Sequence, residues 1–388
     1  MKFERMAHSS GRKVVIYAEA FLPNVGGAEN YSFDLAQTLT DLGEDVTIVT
    51  PIRSLTEDAF SFKVIRMERS IFFGFNVNFL EPLLDIIGER PNVVLLSGPA
   101  ISDFLMIPLL RILRFPMIVI FHGQFNKAWA RKLMKVVIPV AYRFVDKIVV
   151  ETSRDLNYLK DLNVPAGRIE FLFFDGVNRE KFKCQPEKEG YNYPDSGRPL
   201  RFIFVGGLTS SRPYKGIDLL VEIFMKIGES NISPTPELFV VGSGDLLQTL
   251  RDKARDFTNI HFLGHLNDDE LIRELCLSDV LILPSKTDSE GLGKVVFEAV
   301  SCGKPVMVSK FAGSAELIKK YDAGIIFDPF DIEGIMNTIR MLNSNSIMLK
   351  KLSLNGQRMM AEEGLDLLNT AERHMKLYES VIALSRHR

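Results

Sequence analysis

The feature that most constrains the fold is an alternation of short β-rich apolar runs with helix-forming segments along the whole chain. Strands that alternate with helices form a parallel sheet with helices packed on both faces. The alternation is interrupted between residues 184 and 200, where Pro, Gly and charged residues dominate. The runs are KVVIYA, DVTIVT, FKVIR, NVVLLS, MIVIFHG and KIVVET before the interruption, and RFIFVGG, ELFVVGSG, NIHFLG, DVLILPS, PVMVS and AGIIFD after it. The pattern predicts two doubly wound α/β domains.

Length and composition agree with two globular domains. A chain of 388 residues exceeds the size at which one hydrophobic core usually stops growing. Its 46% apolar and 25% charged residues are typical of a globular protein and not of a disordered one, and a net charge of −2 gives no indication of nucleic-acid binding. We predict domains over 1–190 and 191–368, followed by an amphipathic helix over 369–388. The apolar side of that helix is formed by Ala371, Met375, Tyr378 and Ile382.

The cysteines and the N-terminus bear on the cellular compartment. Cys184, Cys276 and Cys302 have neither CxxC nor metal-site spacing, so we interpret them as packing residues. An odd number of cysteines suits a reducing compartment better than a disulfide framework. The first residues lack the apolar core of a signal peptide, and no stretch reaches the length needed to span a bilayer. The sequence therefore predicts a cytoplasmic protein.

A basic segment over residues 127–147 has two interpretations. It carries six Lys or Arg residues against one Asp, together with Trp129 and many aliphatic residues. Such a helix can lie on an anionic membrane surface. Alternatively it is a packed helix with a basic exposed face, which Pro139 and the continuous VVIPVAY favour because they look buried.

In doubly wound sheets, ligands bind beyond the carboxyl ends of the strands, so the loops after strands are the places to search. Gly26 and Gly27 precede a helix after the first strand, where backbone N–H groups can approach a phosphate or a sugar oxygen. The same pair also suits a plain tight turn. His122 directly follows the strand MIVIF, where a hydrogen-bonded structural role is the alternative to a catalytic one.

Two strand-end loops in the second half carry further candidates. Gly207, Arg212 and Lys215 precede a helix, and two cations in a glycine-bearing loop suit a pyrophosphate, although solvated surface charge explains either cation alone. Gly242 opens a Gly-x-Gly pair, but Leu247 stands where a dinucleotide fingerprint requires its third glycine. Nicotinamide chemistry is therefore disfavoured.

The stretch EGLGKVVFE places one carboxylate, Glu290, in a loop and the other, Glu298, about two turns along a helix. Gly291 and Gly293 let N–H groups at the helix start approach an anion closely. The bland alternative is that Glu298 is a solvated residue paired with Lys294. The pattern indicates a phosphate site with two acids beside it.

Taken together these motifs resemble the family 4 glycosyltransferases. The stretch from Glu290 to Glu298 matches the E-x7-E motif of that family, and FLGHLNDDELIRELCLSDVLILPS upstream is typical of it. PNVGGAENY and PYKGIDLL match the two glycine-bearing loops, and FDGVNREKF resembles the segment that ends the first domain. The resemblance covers nearly the whole chain. It implies the GT-B fold, in which two Rossmann-like domains face a central cleft and a C-terminal helix returns to the first domain.

The resemblance also implies roles for individual residues. Glu298 would bind the ribose hydroxyls of a nucleotide, Glu290 the donor sugar near its reacting carbon, and Lys215 the diphosphate leaving group, while His122 would lie close to the donor sugar. We take His122, Lys215 and Glu290 as the catalytic candidates. The predicted substrate-binding residues are Gly26, Gly27, Gly207, Arg212, Gly242, His265, Leu266, Gly291, Leu292, Gly293 and Glu298.

One position departs from the family. Relatives often have an arginine where this chain has Gly207, and we expect Arg212 to supply that cation from further along the loop. The resemblance implies transfer of a hexose-type sugar, with retention of configuration, from a UDP- or GDP-linked donor to a glycan, glycolipid or lipid-linked acceptor. We expect no metal and no cofactor, because cations and helix-start amides can stabilise the leaving group. A sugar-nucleotide epimerase or hydrolase and a non-catalytic partner subunit stay open as alternatives.

Overall fold

A computed structural model of the protein describes residues 11–23, 26–54, 59–67, 71–72, 75–76, 78–98, 101–122, 128–173, 176–184 and 197–386. The chain divides into two compact units. The first consists of Met1–Gly176 together with Leu367–Arg388, and the second is Val177–Asp366. The predicted boundary near residue 190 lies outside the described residues and stays a prediction.

The first unit is built on a parallel seven-stranded sheet in the order β3-β2-β1-β6-β7-β8-β9. Its strands are β1 (Lys13–Ala18), β2 (Asp45–Thr50), β3 (Lys63–Arg66), β6 (Val93–Gly98), β7 (Met117–Phe121), β8 (Lys147–Val150) and β9 (Ile169–Phe171), with an antiparallel pair β4 (Ile71–Phe72) and β5 (Phe75–Asn76) beside them in sequence. Its helices are α1 (Gly27–Asp41), α2 (Leu80–Glu89), α3 (Ile101–Ile112), α4 (Ala128–Ala141) and α5 (Ser153–Asp161).

Both faces of this sheet are buried, as the nearly continuous apolar strands require. Successive side chains of a strand point to opposite faces, so β1 contributes to two separate cores. Val15 and Tyr17 join one core, whereas Val14 and Ile16 join the other. The sequence reads as uninterrupted apolar runs for this reason.

The C-terminal helix α13 (Leu367–Arg386) belongs to the first unit and packs on its core, as predicted. Ala371 and Tyr378 are fully buried there. His374 is buried as well, and its Nε2 lies 3.2 Å from the hydroxyl of Tyr31 on α1. Arg12 bridges the buried Glu44 and, on α13, Glu379. An apolar face and two polar contacts thus hold the chain end against α1.

The second unit contains a parallel six-stranded sheet in the order β12-β11-β10-β13-β14-β15. Its strands are β10 (Arg201–Val205), β11 (Glu237–Val241), β12 (Ile260–Gly264), β13 (Val280–Leu283), β14 (Val306–Ser309) and β15 (Gly324–Phe327). Its helices are α6 (Ile217–Gly228), α7 (Leu247–Lys253), α8 (Asp268–Leu277), α9 (Lys294–Ser301), α10 (Ala315–Tyr321), α11 (Ile332–Asn343) and α12 (Ser346–Glu362). None of the helices in the described ranges is both long and apolar enough to cross a bilayer.

The interpretation of the cysteines as packing residues is wrong for two of them. Cys184 and Cys276 form a disulfide across 92 residues and are not mere packing residues, while Cys302 is a buried thiol. The pairing has no local sequence signal, because only the fold brings these segments together. The start of α8 is capped by Asn267, whose side chain accepts from the N–H of Glu270, and Asp268 lies in the first turn.

The packing of α13 predicts acid sensitivity through His374. Burial lowers the pKa of His374 from its ordinary 6.5 to about 3. The unfolded chain therefore binds a proton below about pH 6.5 that the folded chain refuses, so stability is lost as pH falls from there towards 3. Between pH 6.5 and 5 this amounts to about 2 kcal/mol. We expect His374→Gln to flatten the fall in thermal stability between pH 7 and pH 5, whatever its effect at pH 7.

His265→Gln, which removes a solvent-exposed histidine from the second unit, is the matched control for the loss of a histidine. Equal pH dependence in His374→Gln and the wild type would contradict the assignment.

Candidate functional site

The candidate site in the second unit lies at the point where the strand order of its sheet reverses. β10 stands between β11 and β13, so the chain leaves β10 towards one side and returns on the other. All neighbouring pairs in this sheet are parallel, which puts the carboxyl ends of the strands at one edge. A crevice opens beyond this edge in doubly wound sheets. The loop after β10 and the loop after β13 both carry predicted site residues.

Lys215 and Glu290, one from each of these loops, form an ion pair. Nζ of Lys215 lies 3.1 Å from Oε1 and 3.0 Å from Oε2 of Glu290, so one ammonium bonds both carboxylate oxygens. Both side chains are largely shielded from solvent, with exposed fractions of 13% and 9%. Partial burial strengthens such a pair, because water screens it less. The two predicted catalytic residues of this unit are therefore in direct contact.

Gly216 fixes the approach of Lys215 to this edge. It ends the short 3₁₀ turn Pro213–Lys215 with a φ of 70° and precedes α6. A Cβ on Gly216 would lie 2.1 Å from the carbonyl oxygen of Pro284, which follows β13. Glycine is therefore required here both by the backbone conformation and by the close contact between the two loops.

The start of α9 has the form expected of an anion site. Gly293 occupies the cap position with a φ of 71° and, as a glycine, has no side chain that could cap the helix. The first N–H groups of an α-helix have no partner within the helix and carry a partial positive charge. Glu298, further along α9, is only 8% exposed. The interpretation of Glu298 as a solvated surface residue is therefore wrong.

Arg212 lies beside Gly207. Among the described residues, the nearest atom to a Cβ on Gly207 would be Nη1 of Arg212 at 3.9 Å, and the glycine does not have a left-handed backbone. Arg212 itself is exposed. The guanidinium of Arg212 therefore lies next to position 207.

His265, Leu266 and Gly242 also follow strands of this sheet and lie at the same edge. His265 and Leu266 directly follow β12, and His265 is exposed. Gly242 follows β11 with a φ of 144°, and a Cβ there would stand 1.9 Å from the carbonyl oxygen of Gly206. Gly242 is thus needed for close packing of two loops, whatever it contributes to a ligand. The N–H of Gly313 bonds the carbonyl of Gly291 at 2.9 Å and supports the E-x7-E loop.

In the first unit the strand order reverses between β1 and β6, and His122 follows β7, the neighbour of β6. Nε2 of His122 lies 2.9 Å from Oγ of Ser97, near the end of β6. The ring of Tyr31, on the first turns of α1, meets the His122 ring edge to face at 5.2 Å. His122 is therefore held on two sides.

The environment of His122 decides its charge. Burial lowers the pKa of His122 from 6.5 to about 4, which keeps the imidazole neutral near pH 7. A neutral imidazole can donate or accept a hydrogen bond but carries no charge. Gly26 and Gly27 stand at the start of α1, where Gly26 has an extended backbone and no side chain caps the helix. A Cβ on Gly27 would meet no atom of the described residues within 4 Å.

Ser97 and Tyr31 are the residues that sequence reasoning missed. Ser97 is a polar residue at the end of a buried strand, the same signal that singled out His122, and could have been found by it. Tyr31 had no such signal, because an aromatic residue on a helix is usually core.

The residues that could bind a metal ion do not coincide with the candidate site. Within the described part of the chain, one group of three His, Cys, Asp or Glu residues has ligand atoms close enough to share an ion. It consists of the three cysteines and does not include the carboxylates of the candidate site.

Two family models match the chain one after the other. The model described as Glycosyltransferase Family 4 matches residues 25–172, and the model described as Glycosyl transferases group 1 matches residues 194–359. Among curated relatives, the sulfoquinovosyl transferase of Arabidopsis thaliana is 24% identical over 356 residues, covering 86% of this chain and 67% of that protein. A GDP-mannose-dependent monoacylated phosphatidylinositol monomannoside mannosyltransferase of Corynebacterium glutamicum is 23% identical, covering 90% of this chain and 93% of that protein.

Solved structures agree on the architecture. Sucrose-phosphate synthase from Thermosynechococcus elongatus superposes with a TM-score of 0.77 at 17% identity, covering 96% of this chain and all of that one (100%). The Anabaena protein HepE, solved in complex with UDP, superposes with a TM-score of 0.76 at 16% identity, covering 95% of this chain and 100% of that one. With two sheets of the predicted kind, two consecutive family models and these relatives, the chain belongs to the family 4 glycosyltransferases and has the GT-B fold.

Proposed function

We propose that the protein transfers a hexose-type sugar, with retention of anomeric configuration and without a metal, from a UDP- or GDP-linked donor to a hydroxyl group of a glycan, glycolipid or lipid-linked acceptor. The observation that carries the proposal is the shielded ion pair between Lys215 and Glu290. The pair lies at the reversal point of the second sheet, and its Glu290 belongs to the loop that leads into α9, the helix with Gly293 at its cap and the buried Glu298.

The ion pair of Lys215 and Glu290 suits the charge changes that occur in sugar transfer. Cleavage of the bond between the sugar and the diphosphate builds negative charge on the diphosphate and positive character on the sugar. Lys215 and the amides at the start of α9 would stabilise the negative charge on the diphosphate. Glu290 would stabilise the positive character of the sugar. An incoming diphosphate would compete with Glu290 for the Lys215 ammonium, which frees carboxylate oxygens to accept hydrogen bonds from sugar hydroxyls. Glu298 would hold the ribose.

Retention and metal independence follow from the same chemistry. A leaving diphosphate can accept the proton of the acceptor hydroxyl on the face from which it departs, so no protein base is required. His122, held neutral, would contact the donor sugar as a hydrogen-bond partner and not as a charged acid. Lys215 and Arg212 would supply the positive charge that a metal ion provides in other transferases.

The names of relatives support the donor and acceptor classes. The Corynebacterium glutamicum relative is named as GDP-mannose-dependent and acts on a phosphatidylinositol mannoside, and HepE was solved with UDP. A diphosphate-linked sugar is common to these donors.

A membrane-proximal acceptor is supported by the outward face of α4. Val136 and Val140 are 68% and 58% exposed, so this face is not the buried one that the sequence suggested. Exposed basic residues flank them, namely Lys132, Lys135 and Arg143. Residues 123–127 and the side chains of 128–131 lie outside the described residues. Apolar residues among cations suit an anionic bilayer surface, and we propose that the enzyme works in the cytoplasm at the inner face of the membrane.

The donor class can be established by calorimetric titration with UDP, GDP, ADP and their sugar conjugates. We expect one nucleotide to bind saturably and Glu298→Ala to weaken it about 10- to 100-fold, because bonds between a carboxylate and hydroxyls are lost. Glu316→Ala, an exposed glutamate at the start of α10, is the matched control. With donor and acceptor in hand, the anomeric configuration of the product, read by NMR, should equal that of the donor, and EDTA should not change the rate.

Each alternative has its own outcome in that experiment. Free altered sugar nucleotide without any glycoside product would favour an epimerase or hydrolase. Failure of the purified chain to bind any nucleotide would favour a non-catalytic partner subunit. An inverted product would overturn the proposed mechanism while leaving transferase activity in place.

Arg212 should act as the second cation of the site. We expect Arg212→Ala to lower kcat/KM about 10- to 100-fold, since one charge-assisted contact to the diphosphate is lost. Because position 207 has room for a side chain, Gly207→Arg added to Arg212→Ala should recover much of the activity. Arg255→Ala, which removes an exposed arginine from the same unit, is the control. Unchanged turnover and donor affinity in Arg212→Ala would remove the assignment.

Membrane contact can be measured by co-sedimentation with anionic vesicles at low salt. A basic residue near such a surface contributes about 1 kcal/mol, so we expect the double variant Lys132→Glu, Lys135→Glu to bind at least about 30-fold more weakly. The matched control makes the same charge change in the second unit, at the exposed Lys319 and Lys350. A wild-type protein that ignores anionic vesicles would end the membrane proposal without touching the transferase proposal.

A further inference from the structure

All three cysteines of the chain lie at one place in the second unit. Cys184 precedes β10, Cys276 lies in the last turn of α8, and Cys302 follows the end of α9. Their sulfur atoms are all within 4.8 Å of one another. Three distant segments thus bring all three cysteines of the 388-residue chain together.

We propose that the reduced chain binds one thiophilic metal ion of the Zn²⁺ class through Cys184, Cys276 and Cys302. Thiolates bind such ions with metal–sulfur distances of about 2.3 Å, which puts the sulfurs of a tetrahedral site about 3.8 Å apart. Sulfur atoms within 4.8 Å of one another reach that arrangement by small side-chain rotations. Soft sulfur ligands favour Zn²⁺ over Mg²⁺ or Ca²⁺.

The metal-bound form and the disulfide form exclude each other. In the oxidised chain Cys184 and Cys276 are bonded, and Cys302 alone is a thiol. Two equivalents of a thiol reductant donate two electrons and two protons to the disulfide, are themselves joined as a disulfide, and leave three cysteine thiols. The metal ion then displaces the thiol protons as it binds. A reducing compartment favours the metal-binding form, since structural disulfides are rare there.

The surroundings suit bound thiolates. Cys276 and Cys302 are buried, and Nζ of the buried Lys304 donates to the carbonyl of Cys276 at 2.6 Å. Cys184 is half-buried, which leaves the cluster open on one side. Within the described residues no carboxylate or imidazole joins the group, so water would take the fourth position.

A bound ion would connect the first segment of the second unit to two of its helices. Cys302 donates its N–H to the carbonyl of Glu298 at 3.1 Å, so the site adjoins the helix that carries the proposed ribose ligand. The expected role is structural: an ion that binds the folded chain and not the unfolded one raises the midpoint of thermal unfolding.

The experiment titrates the reduced, metal-free chain with Cd²⁺ under anaerobic conditions and follows the ultraviolet charge-transfer absorption of cadmium thiolates. We expect one Cd²⁺ per chain, competition by Zn²⁺, and a rise in the unfolding midpoint with either metal. Cys302→Ser keeps the partners of the disulfide, so its fold can be verified in the oxidised state. It should bind the metal at least about 100-fold more weakly.

Cys184→Ser and Cys276→Ser should lose binding to the same degree. Ser353→Ala is the matched control, because Ser353 bonds the carbonyl of Gly303 beside the cluster without contributing a sulfur. A reduced wild-type chain that binds no Cd²⁺ would overturn the proposal, as would equal binding by Cys302→Ser. Neither result depends on an assay of sugar transfer.

Discussion

The carboxyl ends of parallel strands share one edge of a sheet, and the functional part of this protein depends on that constraint. In the second unit the constraint brings the loop after β10 to the loop after β13, although the two are separated by more than one crossover helix. Gly216 permits the two backbones to touch, and Lys215 meets Glu290 as a result. The ion pair is therefore a consequence of sheet topology and of one glycine, and not of any local sequence preference.

The two units use different electrostatics at their strand ends. The second unit presents a shielded cation, an acid that holds it and a helix start with glycine at the cap position, which together suit the changing charge of a diphosphate. The first unit presents a neutral imidazole positioned by Ser97 and Tyr31. His374 on the C-terminal helix contacts the same Tyr31, so the chain end is connected to the residues around His122. Burial lowers the pKa of both His122 and His374, so the stability of the first unit depends on pH.

The strands could be predicted from the sequence because both faces of each sheet are buried. A strand such as β1 must be apolar throughout because its side chains enter two cores, and the helices between strands show their own period. Glycines at strand ends and the spacing of Glu290 and Glu298 identified the loops of the candidate site. Exposure was harder to predict: Val136 and Val140 look like core residues in sequence but lie on the outer face of α4.

By itself the sequence determined the order of strands and helices, the family and the loops at which we predict ligand binding, since each follows from periodicity or from a motif within one short segment. Tertiary structure alone decided that Ser97 holds His122, that Lys215 pairs with Glu290 and that Cys184, Cys276 and Cys302 meet. These contacts join residues from separate segments. The free energy that selects them comes from packing whole elements together, and no local pattern records which side chains that packing will bring into contact.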